Sequence, residues 1–320
     1  MERVLVTGGL GLIGSHLVEQ LVRFDYEVTI VDNMSSFDSP NRHAHEEALQ
    51  WRISTLCKDT PVVSLDVRHV HELAQLFYTV KPDTIIHLAG TPQIRFANQH
   101  PKDAVSSIVD GTFNLLELAR TEPKPPRIVF ISSSTVYGNF IHNSAREHHP
   151  TNPIDVYAAA KLAGEALVRG FGNRFSIPFT IVRPSAVYGP SDVNGRVVQT
   201  FLERAMSGLE LELRGEDSRL DFTYVADAAT GIRLAAASDQ AVGETFNITY
   251  GQGRTLGELA SIIRTLIPST TIRKAQRDST LPIRGTLDIS KAQRVLSYKP
   301  LFSLEDGIAK YYHSKSAHRI

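Results

Sequence analysis

The stretch Gly8-Gly9-Leu10-Gly11-Leu12-Ile13-Gly14 directly follows the apolar run Arg3 to Thr7 and opens a helical pattern from Leu12 to Phe24. A glycine turn between a buried strand and a helix narrows the fold more than any other feature of this chain. It is the context in which backbone amides and a helix N-terminus can meet a dinucleotide's pyrophosphate. Gly8 and Gly11 allow a tight turn and close backbone approach, Leu12 and Ile13 carry the chain into the helix, and Gly14 lets that helix pack on the sheet.

The alternation of short apolar runs and longer helical patterns continues through the first half. Strands are expected at Arg3 to Thr7, Val28 to Val31, Val62 to Leu65, Thr84 to Leu88, Arg127 to Ser132 and Pro178 to Val182. Helices are expected at Leu12 to Phe24, His69 to Thr79, Asp103 to Arg120 and Val156 to Phe171, with another near His43 to Thr55 inside the long connection from Asn33 to Pro61. Strands that read as continuous Val, Ile and Leu are buried on both faces, which implies a parallel sheet between helical layers. The fold class is therefore α/β, a doubly wound parallel sheet of the Rossmann type with a smaller, discontinuous α/β lobe. The main domain covers 1–183 and regains the chain at about 219–241 and 285–296; the lobe takes 184–218, 242–284 and 297–320.

Asp32 closes the second strand about twenty residues after the glycine loop. A carboxylate there accepts hydrogen bonds from an adenosine ribose and repels a 2′-phosphate, which favours NAD over NADP. Asn33 beside it, Asp66 and Val67 after the third strand, and Leu88 and Ala89 after the fourth complete the expected cofactor lining.

The 34 basic and 34 acidic residues balance, so no global field draws nucleic acid or an anionic membrane, and anionic ligands must be met locally. The single cysteine, Cys57, makes no internal disulfide and no thiolate cluster, which suits a reducing compartment. No apolar run approaches spanning length, and Met1-Glu2-Arg3-Val4 runs straight into the glycine turn without a leader pattern, so a cytoplasmic location is expected. The histidines at 43, 45, 69, 71, 148 and 149 have no acid or thiolate cluster at ligand spacing, so no metal is implied.

Two further constellations carry chemistry. Ile131-Ser132-Ser133-Ser134-Thr135 ends an apolar run, where strand carboxyl ends present hydroxyls to a ligand crevice. Tyr157 and Lys161 stand four apart on one helical face, so an ammonium can sit beside a phenol and favour its ionised form. A phenol so placed can serve as a base near neutral pH.

The ordered set Thr7 to His16, Asp32-Asn33, His87-Leu88-Ala89-Gly90, Gly111-Thr112-Phe113-Asn114-Leu115-Leu116-Glu117, Val136-Tyr137-Gly138, Tyr157 with Lys161, Arg183-Pro184, Val187-Tyr188-Gly189-Pro190 and Asp288-Ile289-Ser290-Lys291-Ala292 resembles the extended short-chain dehydrogenases, within them the nucleotide-sugar epimerases and dehydratases. The resemblance spans nearly the whole chain. It implies that Ser133 is the catalytic hydroxyl, Tyr157 the base and Lys161 its partner, working on bound NAD. Dehydratases of that group carry Asp-Glu after the catalytic hydroxyl and decarboxylases a Glu; here Ser134 and Thr135 stand there, and neither is a general acid near neutral pH. Relatives acting at C3 and C5 use an active-site cysteine, and Cys57 is remote from the motif. The resemblance thus implies an isomerase that epimerises a UDP-hexose at C4 through a 4-keto sugar, and a homodimer for which the helices from Asp103 and Val156 are the candidate face, burial of those helices in a monomer core being the equal reading.

Arginine forks suit a diphosphate, and Arg196, Arg219, Arg277 and Arg284 are the candidates, with Val197 beside the first and Ser134 and Thr135 toward the sugar. The family's Arg-Asp-Phe reads Arg219-Leu220-Asp221-Phe222 here, one residue longer. Ala186 and Val193 depart from the Thr and Arg of glucuronate 4-epimerases, whereas Pro92-Gln93-Ile94-Arg95 is similar to a loop of theirs, which brings in Arg95. Ile108 stands where many relatives have Asn near the cofactor. The alternatives are a UDP-glucuronate 4-epimerase, a nucleotide-sugar 4-ketoreductase consuming NAD(P)H, and a noncatalytic NAD-binding protein.

Overall fold

A computed structural model describes residues 1–36, 42–142, 144–279 and 281–318; residues 37–41 of the Asn33 to Pro61 connection lie outside the described residues. Seven strands form one sheet: β1 (Arg3–Thr7), β2 (Glu27–Asp32), β3 (Val62–Ser64), β4 (Thr84–His87), β5 (Arg127–Ile131), β6 (Phe179–Pro184) and β7 (Thr245–Ile248). Their spatial order is β7-β6-β5-β4-β1-β2-β3, with every neighbour parallel. The order reverses between β1 and β4, so their carboxyl ends diverge into a crevice.

Helices cover both faces: α1 (Leu12–Arg23), α2 (Arg42–Trp51), α3 (Val70–Val80), α4 (Gly111–Thr121), α5 (Val156–Phe175) and α6 (Val225–Ala237). Period-two alternation sends Val4 and Val6 of β1 into a core with Leu17 and Leu21 of α1 and Ile232 of α6. Leu5 points the other way, into a core with Phe77, Leu115 and Val168 of α3, α4 and α5. Both faces are apolar because both are covered, as the unbroken Val/Ile/Leu runs require. A third core joins Tyr188, Phe201 and Leu211 to Phe222, Leu259 and Tyr311 in the smaller lobe.

Two boundaries differ from the sequence reading. Thr245–Ile248, expected in the lobe, is β7 of the main sheet, paired with β6 from Thr245↔Ile181 to Ile248↔Pro184. Its Asn247 disguises a buried strand, and that amide is satisfied by the Tyr137 hydroxyl at 2.7 Å and the Ala145 carbonyl at 3.0 Å. Arg219–Asp221, expected in the main domain, pairs antiparallel with Gly253–Thr255, and Phe222 enters the lobe core. The helix expected from Asp103 to Arg120 is present as one run in which Pro101–Val105 continues through a π-helical turn at Ser106–Asp110 into α4. That turn seats Ile108 against Gly90, where a Cβ would come within 2.8 Å of the Ile108 side chain. A similar π turn, Arg52–Leu56, follows α2 and buries Arg52. Among the described residues no helix is long and apolar enough to cross a membrane.

Candidate active site

The crevice at the β1/β4 divergence opens into one cleft of about 2190 Å³ between the sheet edge and the smaller lobe. Every residue expected to hold cofactor or substrate lines it. The glycine loop forms one wall. Gly8 has φ +69°, and a Cβ there would lie 2.7 Å from the Ala89 amide nitrogen; a Cβ on Gly14 would lie 2.3 Å from the Gly8 carbonyl. Only glycine leaves this cradle open. Gly11 caps α1 without a side-chain hydrogen bond, so the amides at the helix start remain for an anion.

Asp32 faces the same space at the end of β2. Its oxygens accept from the Leu10 amide at 2.9 Å and the Met34 amide at 2.8 Å, which fixes the carboxylate toward the cleft with lone pairs to spare for a ribose diol. Burial pushes its carboxyl up, against those two amides. Asp66 is engaged differently. Burial raises it, but the Arg68 guanidinium at 2.9 and 2.7 Å and the Asn33 amide at 2.9 Å outweigh that and hold it well below the usual carboxylate range. The glycine cradle, the amides at the start of α1 and the Asp32 carboxylate fit NAD.

Opposite the loop, α5 stands over the end of β5. Asp155 caps this helix by accepting from the Ala158 amide at 2.8 Å, which sets the rotation that turns Tyr157 and Lys161 to the cleft. Ser133 caps a short 3-10 turn, accepting from the Thr135 amide at 3.2 Å and the Thr135 hydroxyl at 2.9 Å. Ser134 Oγ is buried with no protein partner.

The electrostatics depart from the sequence expectation. Lys161 donates to the Ile131 carbonyl at 2.7 Å, and burial lowers its ammonium to about 8 while Glu165 holds it up. Burial raises the Tyr157 phenol; Arg196 and hydrogen bonding to Ser133 pull it down. Burial thus favours the protonated phenol, and Arg196, a candidate for the diphosphate, adds to the positive field that opposes it. Arg219 donates to the Gly253 carbonyl at 3.0 Å, Arg277 to the Leu281 carbonyl, and Arg284 keeps a buried Nε without a partner. Cys57 is a core residue whose thiol burial pushes up to about 12, so it supplies no acid or base to the cleft.

The chain matches the NAD dependent epimerase/dehydratase family over residues 4–249. It belongs to that family. Over 98% of this chain and 99% of the relative it is 30% identical to a UDP-glucose 4-epimerase of Mycolicibacterium smegmatis. It is 31% identical to a UDP-N-acetyl-alpha-D-glucosaminuronate decarboxylase of Bacillus cytotoxicus, with 96% and 95% covered. Among solved structures, the UDP-glucuronic acid 4-epimerase of Bacillus cereus, in complex with UDP-glucuronic acid and NAD, superposes with a TM-score of 0.89 at 26% identity, covering 98% of this chain and 99% of that one.

Membership explains the glycine cradle, but not two residues that sequence reasoning passed over. Arg52, 3% exposed, bonds the Leu10 carbonyl at 2.9 Å and Ser191 Oγ at 3.0 Å, and so ties the glycine loop to the loop after Pro190. Glu165 takes a hydrogen bond from Ser132 at 2.6 Å beneath the serine cluster. Neither lies in a motif of its own; each is a charged residue in a helical pattern that reads as a solvated face.

Proposed function

We propose that this chain interconverts nucleotide-diphosphate hexoses at C4, of the UDP-glucose and UDP-galactose type, using NAD that stays bound through turnover. The observation that carries this reading is the meeting of Ser133, Tyr157 and Lys161 on one wall of the cleft whose other wall is the dinucleotide cradle. Bound NAD supplies the hydride acceptor and, once reduced, the donor that returns it. Tyr157 takes the proton of the C4 hydroxyl, with Ser133 orienting that hydroxyl and Lys161 and Arg196 providing the positive field that lets the phenolate form. Ser134 and Thr135 cannot transfer a second proton near neutral pH, so elimination and decarboxylation lack an acid at those positions. Once the 4-keto sugar presents its other face, Tyr157 would return the proton to the C4 oxygen. The diphosphate is met by Arg219, Arg277 and Arg284, and Asp32 selects NAD over NADP. The chain works as a homodimer in the cytoplasm.

Purified protein given UDP-galactose without added nicotinamide should form UDP-glucose with no lasting absorbance of reduced cofactor. A stoichiometric demand for NAD(P)H would instead identify a 4-ketoreductase. Tyr157→Phe should abolish turnover with NAD still bound, and full activity in that variant would refute the base assignment.

Arg196, whose charge acts on the phenol, and Arg95 in the same cleft favour a second reading in which the sugar carries a C6 carboxylate. Comparing kcat/KM for UDP-galactose and UDP-galacturonate separates the two.

A further inference from the structure

Helix α5 carries Tyr157, Lys161 and Glu165 at successive i+4 positions, so all three face the end of β5. Each meets a different residue there. Tyr157 stands with Ser133 on the cleft wall, the Ile131 carbonyl takes the Lys161 ammonium at 2.7 Å, and Ser132 donates to Glu165 Oε1 at 2.6 Å. The proposed reaction uses the first two contacts and leaves the third unexplained.

Glu165 is 2% exposed and is gripped from β6 by Arg183, whose Nε and Nη2 donate at 2.8 and 2.6 Å. Arg169 approaches at 3.9 Å. Arg183 would neutralise the carboxylate without help from Ser132, yet Oε1 is shared between the two. The Ser132 bond therefore links the ion pair to the turn that presents the Ile131 carbonyl on one side and Ser133 Oγ on the other.

Lys161 is faced by Tyr157 and Glu165 from its own helix and by His87 from β4, while the Phe130 ring of β5 lies 5.3 Å from Nζ. His87 is neutral, buried between the Thr7 hydroxyl at 2.7 Å and the Thr112 hydroxyl at 3.1 Å. Arg183 stands behind Glu165. Among the described residues, Glu165 is the one anion acting on the ammonium.

We propose that Glu165 is a positioning residue of the reaction: through the 2.6 Å bond from Ser132 it holds the turn that bears the Ile131 carbonyl and Ser133, and its carboxylate lies one turn beyond Lys161 on the helix face that meets that turn. This rests on the reading that Tyr157 and Lys161 carry the chemistry. Glu165→Gln leaves Arg183 unpaired in the core, so the Glu165→Met/Arg183→Leu double variant, which replaces the ion pair by apolar side chains, is made beside it.

All variants are loaded with NAD, and UDP-galactose turnover per bound NAD is followed from pH 6 to pH 10. Ser132→Ala should lower kcat roughly tenfold with the alkaline limb of the profile in place. Both Glu165 variants should lower kcat and move that limb down by about one pH unit, because the lysine loses its anion. A folded, NAD-loaded double variant with the wild-type alkaline limb overturns the proposal, whether or not its melting temperature has fallen. Tyr157→Phe is run in parallel. Turnover in Tyr157→Phe removes the underlying reading, whereas a dead Tyr157→Phe beside a wild-type profile in the double variant removes only the role of Glu165.

Discussion

Lys161 gives its ammonium to the Ile131 carbonyl at 2.7 Å rather than to the phenol of Tyr157, one turn earlier on the same helix face. The lysine thus acts on the phenol as a fixed charge held by the strand end. Because burial has lowered it to about 8, it is protonated below that pH and neutral above it. Turnover should be level up to about pH 8 and fall as pH rises further. Lys161→Met should cost roughly a hundredfold or more in kcat and abolish the alkaline limb. A pH–rate profile of both proteins decides this.

Arg52 joins the glycine loop to Ser191 with its charge buried. Arg52→Met leaves the Leu10 carbonyl and Ser191 without their donor, a loss of about 2–5 kcal/mol if both stay buried. NAD affinity should weaken by about tenfold or more as the loop loosens. Arg52→Lys, which restores the charge but not the fork, should recover only part of either effect. Urea unfolding with and without NAD measures both.

Asp221 lies fully buried where three segments of chain meet, accepting from the Leu287 amide at 3.0 Å, the Gly251 amide at 3.1 Å and the Thr249 hydroxyl at 3.1 Å. Burial pushes its carboxyl up to about 6 from 3.8, and these donors only moderate the rise. With the folded value above the unfolded one, its contribution to stability is fully present below the unfolded value and is lost as pH climbs through about 6. The loss amounts to about 3 kcal/mol. Asp221→Asn should be less stable throughout, for want of an acceptor, and should lack this decline between pH 4 and pH 6 in urea titrations.

Phe113 of α4 and Phe175 of α5 remain 43% and 39% exposed, bridged by Phe171 with ring centroids 5.9 and 5.3 Å away. Such a patch on two neighbouring helices suits a second copy of the chain. Phe113→Glu should convert the proposed dimer to monomer in sedimentation velocity, with NAD binding intact. An unchanged sedimentation coefficient would count against this face.

The sequence by itself determined the parallel sheet, the glycine cradle, Asp32, and the lining of a single cleft, because each depends on local patterns: apolar runs buried on both faces, glycines where a Cβ would collide, and an i, i+4 pair on one helix. Only the tertiary structure decided where the charges act. Arg196 adds positive field at Tyr157, Lys161 turns to Ile131, Arg52 bridges two loops and Glu165 holds Ser132, each a relation between residues distant in the chain. Likewise Thr245–Ile248 became a sheet strand through its pairing with β6, since four residues containing an asparagine are too short to declare themselves. Local pattern sets backbone conformation, whereas the state of a buried charge depends on every group the fold brings within a few ångströms of it.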